Sequence, residues 1–193
     1  MFDLWVIYLQ ESIYDERLLN DLKNMMIEKI GKYRKYDVER AVDCFLRKNV
    51  LCIDYDPIRC SDNPISKELS RRFIDIVKRY RPKDCSMRRF IYTVKSIYRN
   101  ILEILIQRDL VKSPVLFSLD PDYLRKIYPI FKHYNPISIA AAIASITVPD
   151  VAVTRICDII SSTDVFRGCD PGSLTGMVYK AKSILLDNGL IPY

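Results

Sequence analysis

Residues 135–147, NPISIAAAIASIT, carry small or apolar side chains at every helical angle and no charge. A helix without a polar side is one enclosed by other helices, so the pattern predicts a central helix over 136–147. On either side of it, apolar positions recur with the period of amphipathic helices and predict helices over 64–80, 86–108, 121–133, 151–161 and 172–187. Within 86–108, Phe90, Val94, Ile97, Ile101 and Leu105 define the buried face. Within 172–187, Leu174, Met177, Val178, Ala181, Ile184 and Leu185 do the same, leaving Gly172, Gly176, Tyr179, Lys180 and Ser183 outside.

Asn or Asp followed by Pro marks four of the starts: Asn63-Pro64, Asp120-Pro121, Asn135-Pro136 and Asp170-Pro171. Each pair offers a side-chain acceptor at the cap and a preset φ at the first helical position. Asp150 is a fifth cap candidate. The first 60 residues read differently. MFDLWVIYLQ has the pattern of a strand or a buried apolar arm, 14–30 that of a helix stopped at Gly31, and YDVERAVDCFLRK that of a helix capped by Asp37. NVLCIDYDP (49–57) alternates as a strand does. Helix, helix, strand is the order of a winged helix-turn-helix, so residues 1–60 are expected to form a small α/β module. The composition shift at 56–64 sets its boundary with a helical domain over 64–193.

At 193 residues and 49% apolar composition, the chain is expected to be globular and mainly α. No segment approaches the roughly 20 apolar residues of a membrane span. The N-terminus has neither the basic start nor the cleavage site of a signal peptide, so an intracellular, cytoplasmic protein without membrane contact is expected. Scarce Gln and His beside abundant Ile, Lys, Arg and Glu point toward a thermophile, and an archaeon or one of its viruses is the expected source.

Charge changes the picture, because it is unevenly placed. Eleven Lys and Arg against three acids between Pro64 and Arg99 give about +8, while the whole chain carries +6. Arg88, Tyr92, Lys95 and Arg99 fall on one stripe of the 86–108 helix, read as opposite its core, and can follow a phosphate backbone. The run KRYRPK adds Lys78, Arg79, Arg81 and Lys83. The bland reading is a solvated helix face. The last two helices form a helix-turn-helix candidate whose second member exposes Lys180 and Ser183. An interior glycine such as Gly176 also suits close approach of another backbone there.

From Asn135 to Leu186 the chain resembles a cyclin repeat of the transcription factor IIB family. The likeness lies in an Ala-rich helix after a capping proline, a helix VTRICDII, and a helix carrying GMVYK (176–180). The resemblance implies five helices wrapped about the third, with 64–80 and 86–108 as the first two and 111–134 as an insertion. The chain has room for one repeat and holds no Cys-x-x-Cys pair, and Met177 and Val178 stand where archaeal members often carry arginines. A divergent relative is therefore implied, not a general initiation factor.

Enzyme signatures are not found. Cys44, Cys52, Cys60, Cys85, Cys157 and Cys169 lack the close pairing of structural zinc ligands, so buried thiols or one disulfide are expected, with Cys44 inside its helix. His133 suits a helix C-terminus, Asp54 and Asp56 suit a solvated strand end, and no phosphate-binding glycine loop occurs. The expected protein is a non-catalytic nucleic-acid-binding factor, most readily of DNA, without cofactor or metal, in contact with a polymerase or another replication or transcription subunit. The alternatives are a helical protein–protein adaptor and a metal-bearing accessory subunit of a nucleic-acid enzyme.

Overall fold

The computed structural model describes residues 16–52, 64–111, 119–163 and 170–192. Among them the chain is mainly helical and contains no strand. Two compact units divide at Cys85 and Ser86. The boundary falls beyond the 56–64 segment because the helical stretch after Pro64 packs into the first core.

In unit 1, α1 (Glu16–Lys29) and α2 (Lys35–Leu46) pack together, and α3 (Pro64–Arg72) packs on α2. Leu22, Met26 and Ile30 recur every four residues along one side of the first segment and meet Val38, Val42, Phe45 and Leu46 from α2 and Ile65, Leu69 and Phe73 from the α3 segment. The cap of α2 is Arg34, and Asp37 sits in the first turn. The strand expected at 49–57 begins otherwise. Residues Arg47–Leu51 form a π-helical turn continuing α2, closed by the Cys52 N–H to the Arg47 carbonyl. The wider turn keeps Val50 buried below Leu46, and the Asn49 amide donates to the Phe45 carbonyl at 3.0 Å. Residues 53–57 and the strand or buried apolar arm expected at 1–10 lie outside the described residues, as does the cap expected at Asn63.

The single helix expected over 64–80 is two, α3 and α4 (Ile74–Tyr80), separated by Phe73 at φ −113° and ψ 23°. Cys52, in the left-handed region at φ 57°, forms a disulfide with Cys85 across 33 positions of sequence. Closing such a loop stabilises a fold by about 4 kcal/mol in the chain-entropy picture. Cys44, expected as a buried thiol, is disulfide-bonded as well. Pairing of distant thiols follows from the fold and leaves no local trace in the sequence.

Unit 2 continues α5 (Cys85–Gln107) into α6 (Pro121–Phe131), α7 (Pro136–Thr147), α8 (Val153–Ser162) and α9 (Pro171–Asp187). The Asp120, Asn135 and Asp170 side chains accept from the N–H groups of Asp122, Ile137 and Ser173, as Asx-Pro starts require. Asp150 is not a cap, since α8 starts after Ala152 without a side-chain bond. Every residue from Ser138 to Ala144 and Ser145 beyond it is buried, and α9 and α8 both pack on this helix. The buried hydroxyls of Ser138 and Ser145 donate to the Asn135 and Ala142 carbonyls of their own helix at 2.7 and 2.8 Å, which removes the cost of an unpaired polar group. Lys182 of α9 reaches the Ser145 carbonyl at 3.3 Å near the C-terminal end of α7, where a cation meets the negative end of the helix dipole. Gly189, at φ 62°, lets the Leu190 N–H fold back to the Leu185 carbonyl at 2.8 Å. Tyr123 of α6 then donates to the Leu190 carbonyl at 3.1 Å.

Ala141 and Ala142 are fully buried, so either one replaced by Glu places an unpaired charge in the core at a cost of several kcal/mol. Against a total stability of about 5–15 kcal/mol, such a chain is expected not to fold. Expression of each variant and a thermal melt by circular dichroism check this; a soluble, cooperatively melting variant contradicts the central position of α7.

Candidate nucleic-acid interface

The candidate residues divide between the units. In unit 1, Lys78 and Arg79 occupy the last turn of α4, and Arg81 and Lys83 follow in the segment leading to Cys85; all four are exposed. Cations there face the negative end of a helix. Between Pro64 and Lys83 seven Lys and Arg stand against Glu68 and Asp75, a local excess of five. Lys78 reaches Asp75 Oδ1 at 3.7 Å with both side chains in water, a pair of little strength that a phosphate can displace.

One carboxylate brings a second set of cations together. Glu68, whose side chain is only 9% exposed, pairs with Lys32 Nζ at 2.8 Å and with Arg72 Nη2 at 2.9 Å. It also accepts from Tyr33 Oη at 3.1 Å. Arg72 Nη1 donates in addition to the Lys29 carbonyl at 3.0 Å. The turn KIGKYRK (29–35) is thereby pinned to α3 beside an open cavity of about 450 Å³ lined by Met25, Lys29, Arg72, Phe73, Asp75 and Ile76. Exposed Lys29, Lys32, Arg34 and Lys35 in this turn, and Lys67 and Arg71 on α3, are absent from the candidates read from sequence. Their signal was present: KYRK (32–35) interleaves cations with a tyrosine as KRYR (78–81) does.

In unit 2 the α5 stripe differs from its expected position. Arg88, Tyr92 and Lys95 are half-buried and already engaged within the protein. Arg99 is exposed and pairs with Glu103 at 2.7 Å. The reason is that Ile91, Tyr98 and Leu102 are buried beside the expected core positions. Residues three apart are neighbours on a helix, so Ile91, Tyr98 and Leu102 carry the core up to Arg88, Lys95 and Arg99. The stripe flanks the core; it does not oppose it. On α9, Lys180 is exposed and lies 5.9 Å from the Tyr134 ring centroid, and Ser183 donates to Asp187 Oδ2 at 2.9 Å. Met177, expected in the buried stripe, is 39% exposed, and Tyr179 and Leu186 are exposed with it. A Cβ added at Gly176 meets nothing within 4 Å.

Among the described residues no three His, Cys, Asp or Glu side chains gather as a metal site, and no helix is long and apolar enough to cross a membrane. Cys157 is a buried free thiol, and burial raises its pKa while the hydrogen bond with Thr175 opposes the rise. Burial, reinforced by neighbouring Tyr98, pushes the Tyr123 phenol far above its usual range. These groups stay neutral near pH 7. Compared with known proteins, the chain matches no family profile, no curated protein and no solved structure.

The hydrogen bond with Lys32, then that with Tyr33 and the charge of Arg72, hold the Glu68 carboxyl below the ordinary glutamate range against the opposing effect of burial. A carboxyl with a depressed folded pKa stabilises the fold above its unfolded value, about 4.3, and loses that contribution as pH falls through the folded value. The stability difference between wild type and Glu68→Gln is therefore expected to be largest near neutral pH and to shrink below about pH 4. Urea melts of both proteins across this range check the sign; a difference that persists unchanged into acid contradicts the ion-pair account.

Proposed function

We propose that the protein binds nucleic acid without catalysing a reaction, as a transcription or replication factor whose second unit is a divergent cyclin-like repeat. The observation that carries the reading is the exposed cluster Lys78, Arg79, Arg81 and Lys83 within six positions at the end of α4, supported by the second cation–tyrosine run at 32–35. Phosphates attract such surfaces through counterion release, and an intervening tyrosine offers a face for a base. The cyclin-like reading gains support from unit 2. Among its described residues five helices, α5 to α9, have the buried Ala-rich α7 as their third, so on this reading α6 takes the place assigned from sequence to an insertion. DNA is the proposed nucleic acid, an archaeon or one of its viruses the proposed source, and the cytoplasm of the archaeal cell the proposed setting.

A second reading has its own observation. Met177, Tyr179 and Leu186 expose apolar surface on α9, which suits a protein partner such as a polymerase subunit. In that case α9 serves an adaptor. Gly176→Ala tests how open this face is in the free protein, because nothing stands within 4 Å of the added methyl. In the free protein it is expected to stabilise by about 1 kcal/mol through helix propensity, as read in a urea melt. A destabilised variant contradicts the open surroundings of Gly176.

The direct test is a salt series on duplex and single-stranded DNA. Replacing Lys78, Arg79, Arg81 and Lys83 by Ala is expected to leave the fold intact, surface changes staying within about 0.5 kcal/mol each. The slope of log affinity against log salt on a duplex is expected to shrink by about 0.9 for each phosphate no longer neutralised. A wild-type protein that ignores both DNA forms at about 50 mM salt, or a variant with an unchanged slope, overturns the assignment.

A further inference from the structure

The exposed basic cluster lies at the end of the helix that buries least among the described helices of unit 1. α4 has seven residues and buries none of them fully. Only Ile76, Val77 and Tyr80 rest partly against the core. Isolated helices shorter than about 12 residues are marginal in water, so α4 depends on its anchors. Upstream it is joined to α3 at buried Phe73. Downstream, Arg81 to Asp84 lead directly into Cys85, which is bonded to Cys52. Cys52 ends the π-helical turn, and α4 packs against that same turn.

The 32 positions between the two cysteines thus contain all four cluster cations, and the bond fixes the end of the segment nearest to them. Both sulfur-bearing residues are buried, Cys52 at 0% and Cys85 at 4% exposure. The bond is therefore protected from casual reduction, and a reductant reaches it only when this corner of unit 1 opens.

We propose that the Cys52–Cys85 disulfide is a redox-sensitive clamp that orders α4 and the 81–84 segment, and so sets the affinity of the basic cluster for nucleic acid. The inference rests on the nucleic-acid reading above for its effect on binding, but not for its effect on order. The chemistry requires a dithiol reductant. One thiolate of the reductant attacks a sulfur of the bond and releases the other cysteine as a thiolate, leaving a mixed disulfide. The second thiolate then displaces the protein. The reductant leaves as its disulfide, and Cys52 and Cys85, having gained two electrons, each take up a proton. Oxidation reverses the exchange. When the clamp is open, cations that were held in place must be immobilised at binding, and ordering side chains and loops weakens association.

The test uses the full chain in three forms: oxidised wild type, wild type in dithiothreitol, and the variant Cys52→Ser/Cys85→Ser. The variant isolates this bond from that of Cys44. Hydrogen exchange by mass spectrometry is followed over 74–84 and over the core helices at 22–46, with duplex DNA affinity measured at fixed salt. Exchange over 74–84 is expected to quicken by about tenfold or more in the variant and the reduced protein, with 22–46 unchanged in the variant, where the Cys44 bond is kept. DNA affinity is expected to fall about tenfold, near 1.4 kcal/mol. Unchanged exchange over 74–84 in the variant overturns the clamp. Loss of protection at 22–46 in the variant as well overturns it too, by making the bond a staple of the whole unit. Quickened exchange with unaltered affinity overturns its control of binding. Oxidised protein that binds no DNA refutes the nucleic-acid reading, and the exchange data still decide the clamp.

Discussion

A helix with no polar side can exist in water only if other surfaces enclose it, and that constraint organises unit 2. From Ser138 to Ser145 not one position of α7 reaches solvent. Enclosure requires neighbours on all sides, and alanine at 140, 141, 142 and 144 lets them approach closely enough for dense packing. The two serines at its ends return their hydroxyls to their own helix. Burial thus costs no unmet hydrogen bond. Lys182 from α9 supplies a cation at the C-terminal end of α7, so one neighbour contributes both apolar cover and an end contact.

Unit 1 is organised by a different kind of centre. Among the described residues its apolar core is smaller, and a carboxylate beside it ties the turn after α1 to α3 through Lys32, Tyr33 and Arg72. Lys32 and Tyr33 meet one oxygen of this nearly buried glutamate and Arg72 pairs by charge with the other, which accepts no hydrogen bond, so the carboxylate is held chiefly by its cations. The consequence for function is that positive charge gathers around an internal anion. Lys32 and Arg72 are held near one another by the carboxylate they share, and Lys29, Arg34 and Lys35 face solvent.

What was legible in the sequence was local. The starts at Asp120, Asn135 and Asp170 could be read because cap and first-turn proline are adjacent in sequence, and α7 could be read because its composition alone excludes a solvent face. What escaped was decided at a distance. No proline or glycine marks the break at Phe73, and the start of the period-two run, Asn49 to Leu51, fits a helical continuation as soon as Leu46 and Val50 are seen to share one core. The Cys52–Cys85 pair depends on a fold that brings positions 33 apart together. On α5, the five apolar positions at regular helical steps set the expected core, and Ile91, Tyr98 and Leu102 widen it on the side of the basic stripe. For the candidate site, KRYR is legible as charge density, while the equivalent KYRK lies in a turn with no helical face to display it.

Turns and short helices are where binding surfaces can change without disturbing a core, and both cation–tyrosine runs occupy such places. Segments of this kind carry little burial energy of their own, so their geometry is set by what anchors their ends. In unit 1 those anchors are chemically distinct: an ion-paired carboxylate for 29–35 and a covalent bond for 78–84. The first responds to pH and salt, the second to redox state. Each anchor can then be released without the other, whereas on α5 the half-buried Arg88, Tyr92 and Lys95 flank the core and are set by the packing beside them.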